Sequence, residues 1–248
     1  MTKFMVRLSV NVNKVATLRN SRGGSVPGVV DAVEVCIAAG APGITVHPRA
    51  DRRHITPGDV RDVARALAGR GIEFNIEGDP RRELLDLVEE VRPDQCTLVP
   101  VAAGEITSQA GWQPGSQTAG LAEVVRTLKS AGIRVSLFVD AVPGPIHWAA
   151  SVGADRVELY TEPYARAFAH GSEAGRESFE TFASAARLAH SLGLGVNAGH
   201  DLDLENLTLF RQLPFLDEVS IGHAIISRAL FEGLDTVVRE YLDVLAAD

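Results

Sequence analysis

Histidine, glutamate and arginine recur at one kind of place in this sequence: the end of a short apolar run, just before a turn. The stretch Gly43–His54, GITVHPRADRRH, is the clearest case. Ile44 and Val46 flank Thr45 in strand-like alternation, and the run then delivers His47, Arg49, Arg52, Arg53 and His54. Equivalent positions carry Asn11 and Asn13, Glu77, Asp140, Glu158, Asn197 with His200, and Gly222 with His223. A histidine titrates near neutrality and can give or take protons. A partly buried carboxyl such as Glu77 has its pKa lifted toward the range useful for proton transfer. Each well-placed acid or base is worth roughly 10²–10⁴ in rate. The arginines bind anions, and so does the start of the helix GHAIISRAL, where unbonded backbone N–H groups favour negative charge.

Each residue also has a purely structural reading. A histidine at a strand end can simply hydrogen-bond into the framework. Glu77 could pair with Arg49 or Arg52, and Glu158 could orient a histidine. His147, His170 and His190 fall on helices or loops and read as surface or packing residues. His47, His200 and His223 belong to separate strands, with no HxH pair, no HExxH and few neighbouring carboxylates, so no metal site is expected.

The elements that position these groups follow one phrase: a helix, a turn residue, a short strand. It recurs as AAGAPGITVH, LAGRGIEFNIEG, LKSAGIRVSLFVD, SVGADRVELY and HSLGLGVNAGH. Glycine after a helix supplies the left-handed cap. Strands are expected near 7–13, 43–48, 72–77, 95–100, 133–140, 155–160, 194–199 and 217–222. Amphipathic helices are expected between them, among others at 28–39, 57–69, 81–91, 119–131 and 173–192. Thr56-Pro57 is a helix start, an N-cap followed by proline. Eight strands alternating with helices over 248 residues predict one α/β domain, residues 1–248, folded as a (β/α)8 TIM barrel with extra segments. An open doubly wound sheet is the alternative, weakened by the lack of GxGxxG after the first strand. The extra segments are 14–27 and a long loop at 101–118, and loops this long in a compact domain are usually functional lids or disordered.

Strand polarity carries the functional argument. Parallel strands covered on both sides usually read as continuous apolar runs. These alternate: Leu8, Val10 and Val12 against Ser9, Asn11 and Asn13; Phe74 and Ile76 against Asn75 and Glu77; Val157 and Leu159 against Glu158 and Tyr160; Val219 and Ile221 against Ser220 and Gly222. The apolar set packs on helices, so the polar set points into the barrel. Unpaired polar groups there would cost several kcal/mol each. A polar ligand at the C-terminal mouth is the expected reason.

Charge narrows the ligand. The net charge is −8, which argues against nucleic acid or an anionic membrane. Yet residues 1–54 hold Lys3, Arg7, Lys14, Arg19, Arg22, Arg49, Arg52 and Arg53 against only Asp31, Glu34 and Asp51. A basic cluster on an acidic protein suits a small anion such as a phosphate ester. Cys36 and Cys96 read as reduced core residues. No apolar run reaches the ~18 residues of a membrane span, and the first residues carry no signal-peptide pattern. A cytoplasmic location is expected.

At these residues the sequence resembles the pyridoxine 5′-phosphate synthase family of deoxyxylulose-phosphate-dependent vitamin B6 biosynthesis. The matching pieces are VNVNKVATLRNSRGG (10–24), GITVHPRADRRHIT (43–56), FNIEG (74–78), DQCTLVP (94–100), VSLFVD (135–140), ELYTEPYA (158–165), VNAGH (196–200) and SIGHAIISRAL (220–230), with EITS and GW in the long loop. The resemblance implies a transferase that condenses 1-deoxy-D-xylulose 5-phosphate with 3-amino-2-oxopropyl phosphate. It implies a homo-octamer built as a tetramer of dimers, and no metal or organic cofactor. By motif, His47 and Glu77 match proton acceptors and His200 the proton donor. Asn11, Arg22, Gly222 and His223 match contacts to the aminoketone phosphate, and Arg49, His54 and Thr107 contacts to the deoxyxylulose phosphate. Asn13-Lys14 and Asp201 depart from a common family version, which has Asp-His and Gly there, but remain at substrate-touching positions. The rivals are another phosphosugar isomerase or aldolase barrel, and a barrel that binds phosphate esters without turning them over. No strand carries the inward lysine that an imine-forming aldolase needs.

Overall fold

The computed structural model describes residues 5–100, 110–115 and 118–247, with Thr118 and Ala119 as backbone alone. The chain begins β1 (Arg7–Asn11), α1 (Asn13–Asn20), α2 (Val29–Ala38), β2 (Gly43–Val46), α3 (Pro57–Leu67), β3 (Glu73–Gly78) and α4 (Arg82–Val91). It continues β4 (Gln95–Leu98), α5 (Thr118–Ser130), β5 (Arg134–Val139), α6 (Pro143–Ser151), β6 (Arg156–Tyr160), α7 (Glu162–His170) and α8 (Ser172–Ser191). It closes with β7 (Gly195–Gly199), α9 (Leu207–Phe210), β8 (Leu216–Ile221), α10 (His223–Glu232) and α11 (Leu234–Ala246). The strands are parallel and close in sequence order, β8 pairing back onto β1, so the fold is the expected (β/α)8 barrel.

The outward parity is apolar and buried under the helices: Val10, Ile44, Ile76, Leu98, Leu137, Val157, Val196 and Val219 are all inaccessible to solvent. The inward parity is polar and bonded to itself. Ser9 Oγ lies 2.6 Å from Thr45 Oγ1, Asn75 donates to Thr45 at 3.3 Å, and Thr97 donates to Asn75 at 3.1 Å. One layer lower, Arg134 donates to Gln95 at 2.9 Å and Arg156 donates to Asn197 at 2.9 Å. Arg7 pairs with Glu73 at 2.8 Å, and Arg134 also contacts that carboxylate. These bonds remove most of the desolvation cost of a hydrophilic barrel interior.

Three expectations change here. The first strand ends at Asn11, and 14–27 is not a plain loop: Asn13 opens α1, which buries only Val15 and Ala16 and so shows little apolar stripe. Asn197 is not at the mouth. Its side chain lies in the lower layer, donating to Gln95 and Glu218 at 3.3 Å each. Arg19 is not a cation waiting for ligand. It forms a two-pronged pair with Asp59, one bond being 2.9 Å. Asp59 in turn completes a capping box with Thr56 at the start of α3, accepting from the Thr56 N–H at 2.8 Å. Such a cap is worth about 1 kcal/mol. Arg19 and Asn20 both donate to the His54 carbonyl, at 3.4 and 2.9 Å. Thus α1 and α3 together grip the loop that follows β2.

Candidate active site

The C-terminal mouth of the barrel opens into a cavity of about 630 Å³, a size usual for small-molecule sites. Asn11, Asn13, Lys14, His47, Arg49, His54, Glu77, His200, Asp201, Gly222 and His223 all line it. The strand-end pattern places Asn11, Asn13, His47, Arg49, Glu77, His200, Gly222 and His223 at this mouth, and the family resemblance adds Lys14, His54 and Asp201. Arg22 is exposed in the turn after α1 and does not line the cavity. Thr107 and most of the segment 101–118, expected as a lid, lie outside the described residues.

His47 is set one residue beyond β2. Its backbone N–H donates to Asn13 Oδ1 at 2.9 Å, and the Asn13 N–H donates to Asn11 Oδ1 at 3.0 Å. The two asparagines thus brace the histidine from the end of β1 and the start of α1. Burial first, then the neighbouring His54, Arg49 and Arg81, depress the His47 pKa to about 3, so the ring is neutral. His47 Nδ1 lies 3.8 Å from Glu77 Oε2, and Nε2 is buried with no hydrogen-bond partner among the described residues.

Glu77 is on β3 and buried. It accepts from Ser220 at 3.3 Å and Asn11 at 3.4 Å. Burial lifts its pKa to about 7, against the pull of the Ser220 hydroxyl and with a push from Glu218. With a neutral imidazole and a carboxyl poised at neutrality, the Glu77–His47 contact is not an ion pair despite its short separation. Glu158 shares the cavity, and burial and then the Glu77 charge push its pKa well above the carboxylate range. Gly199 makes room for it: a Cβ there would stand 2.2 Å from Glu158 Oε1.

His200 follows β7 with a positive φ of 85°, and Asp201 follows at 55°. The His200 carbonyl is held by the Thr161 hydroxyl, and its Nδ1 lies 2.6 Å from Asp201 Oδ2. The hydrogen bond to His200 holds the Asp201 carboxyl below its ordinary range.

Two surfaces with the chemistry to hold an anion flank β1. One is the N-terminus of α10, where Gly222 is the cap residue and offers no side chain to the free N–H groups. A Cβ on Gly222 would stand 2.8 Å from the Asn11 carbonyl oxygen, so glycine allows β8 to close on β1. The other gathers Lys14, Arg49, Arg53 and His54. His54 accepts the Ile55 N–H at 2.9 Å on Nδ1, and burial, with Arg49 and Lys14 nearby, lowers its pKa to about 4.

The sequence reading missed Val99, Phe138 and Leu202 in the cavity lining, since apolar residues carry no chemical signal. Asp140 was expected at the mouth but instead ties down the segment after β4, accepting from the Gly111 N–H at 3.1 Å and Gln113 at 2.7 Å. Among the described residues no group of three or more His, Cys, Asp or Glu is placed to hold a metal. No helix among them is long and apolar enough to cross a membrane.

A closed (β/α)8 barrel with a neutral histidine, a poised carboxyl, a cluster of basic side chains and an open helix N-terminus at its C-terminal mouth defines a class: a barrel enzyme equipped for acid–base chemistry. Comparison with known proteins narrows it. Residues 8–247 match the family model "Pyridoxal phosphate biosynthesis protein PdxJ". The pyridoxine 5′-phosphate synthase of Porphyromonas gingivalis is 52% identical over 243 residues, covering 98% of this chain and 100% of that one. That of Bacteroides thetaiotaomicron is 52% identical over 242 residues, covering 97% and 100%. The chain belongs to the pyridoxine 5′-phosphate synthase family and is an enzyme of pyridoxine biosynthesis. Among solved structures, phosphoribosyl anthranilate isomerase from Thermus thermophilus superposes with a TM-score of 0.60 at 17% identity, covering 97% of this chain and 98% of that one, a likeness of fold alone.

Proposed function

We propose that the enzyme condenses 1-deoxy-D-xylulose 5-phosphate with 3-amino-2-oxopropyl phosphate, releasing pyridoxine 5′-phosphate, inorganic phosphate and water. The observation that carries this reading is the pairing of a neutral, buried His47, its Nε2 unbonded, with Glu77 poised at about pH 7. The route needs several proton transfers on one bound skeleton. The amine attacks the ketone, and water leaves to give an imine. Loss of a proton from carbon turns the imine into an enamine, one phosphate departs and a water takes its place on carbon, an aldol-type bond closes the ring, and two further waters leave as the ring becomes aromatic.

In this reading His47 and Glu77 accept protons. Their neutral and carboxylate forms are both accessible near neutrality, as general bases require. His200 donates. Its Nδ1 is engaged by Asp201, so transfer falls to Nε2. Two phosphate esters need two anion sites, and Lys14, Arg49 and His54 on one side and the α10 N-terminus on the other supply them. The burial of Glu77 and Glu158 supports a site from which water is displaced, which protects an imine from hydrolysis. Incubating the purified enzyme with both esters and following the fluorescent hydroxypyridine product tests the reading. Product that requires both esters supports it; none over prolonged incubation refutes it.

A further inference from the structure

Most inward positions at the upper end of the barrel are polar, from Asn11 through Glu77 and Glu158 to Ser220. The wall on β4 to β6 breaks the pattern. Val99, Phe138 and Tyr160 form an apolar cluster separate from the main core, with the Phe138 and Tyr160 rings 5.3 Å apart. Val99 and Phe138 line the cavity, and Tyr160 backs Phe138 while meeting His200 edge-on at 5.2 Å. The patch adjoins the acid–base groups. Phe138 pairs in register with Glu158, and the Val99 N–H donates to the carbonyl of Gly78, the residue after Glu77, at 2.9 Å.

We propose that Val99 and Phe138 receive the C1 methyl group of the deoxyketose phosphate and so select a 1-deoxy sugar over its hydroxylated counterpart. This rests on the reading of function above. Between them the two substrates present phosphates, hydroxyls, carbonyls, an amine and a single methyl. That methyl is one bond from the ketone carbon the amine attacks, so its pocket must lie beside the acid–base groups, and this wall shares their cavity. A ketose with a hydroxymethyl in its place would press an oxygen against two side chains that cannot bond it. An apolar pocket of this kind discriminates against an added hydroxyl by about 10²-fold.

The competing explanation is that the wall only dries Glu77 and Glu158. The two are separated by measuring kcat/KM with 1-deoxy-D-xylulose 5-phosphate and with D-xylulose 5-phosphate, in wild type and in the isosteric Val99→Thr. Phe138→Leu serves as a second variant, and thermal melts confirm that both fold. The proposal expects wild type to favour the deoxyketose by about 10²-fold and Val99→Thr to narrow that ratio about tenfold, with KM for the aminoketone unchanged. Rates that fall together for both ketoses at a constant ratio, in both variants, overturn it and favour the drying role. No preference in wild type overturns it too while leaving the function standing. A wild type inert with the deoxyketose overturns the reading of function itself.

Discussion

His47 Nδ1 lies 3.8 Å from Glu77 Oε2, yet the two groups do not form an ion pair. Burial in the barrel mouth holds the imidazole neutral and lifts the carboxyl to about 7. An ordinary salt bridge would lock both groups in their charged forms, leaving an imidazolium that cannot accept a proton and a carboxylate of low basicity. The wild-type pH–rate profile for kcat/KM should therefore show an acidic limb, activity rising as Glu77 loses its proton near pH 7. Replacing Glu77 with Gln should abolish the limb along with most of the rate. A profile flat from pH 5.5 to 8.5 would place the essential base elsewhere.

Asn13 fixes His47 through the backbone rather than the ring. Asn13→Ala should leave a largely buried N–H unsatisfied and cost about 1–3 kcal/mol. Asn13→Asp retains the acceptor oxygen and should lose much less. Urea unfolding of the pair measures this, and equal losses in both variants would show that the bond to His47 is not what Asn13 contributes.

His47 and His54 should each contribute a loss of stability in acid. His47 and His54 have folded pKa values of about 3 and about 4, below the ordinary 6.5. The unfolded chain therefore binds more protons below pH 6.5. Their share of the stability is full above that pH and falls as pH drops, by about 1.4 kcal/mol per pH unit for each histidine while its unfolded form is protonated and its folded form is not, whereas Glu77 and Glu158, whose pKa values burial raises, act in the opposite sense over the same range. Urea midpoints between pH 7 and 4.5, compared between wild type and His47→Gln, isolate the histidine: the variant should lose less stability, or gain more, toward pH 4.5. An unchanged slope would mean that His47 is protonated in the fold.

Gly222→Ala should raise KM for one phosphate ester and lower stability, because its Cβ would meet the Asn11 carbonyl at 2.8 Å just where α10 presents its N–H groups. Inhibition by inorganic phosphate provides an independent readout, and should weaken in parallel. Wild-type phosphate inhibition in the variant would move the anion away from α10.

What could be read from the sequence follows physical periodicity. The inward line of Ser9, Asn75, Glu77 and Glu158 was visible because side chains alternate with a period of two and these break apolar runs. Helix α1 was not, since it buries too few apolar residues to show a stripe. Arg19 looked like part of an anion site because Asp59, its partner, is 40 residues away and only folding joins them. Asn197 was placed too high because a strand-end motif does not say how deep each inward residue sits. Val99 and Phe138 were missed because an apolar side chain facing a ligand looks the same in sequence as one facing the core.

The most direct test of the convergence of these side chains on one bound skeleton is Glu77→Gln incubated with both phosphate esters, quenched, and analysed by mass spectrometry. Gln keeps the polar contacts to Ser220 and Asn11 but cannot accept the proton. The expected result is an accumulated condensation adduct of the two substrates with pyridoxine 5′-phosphate reduced by about 10²-fold or more. Pyridoxine 5′-phosphate formed at the wild-type rate would contradict it.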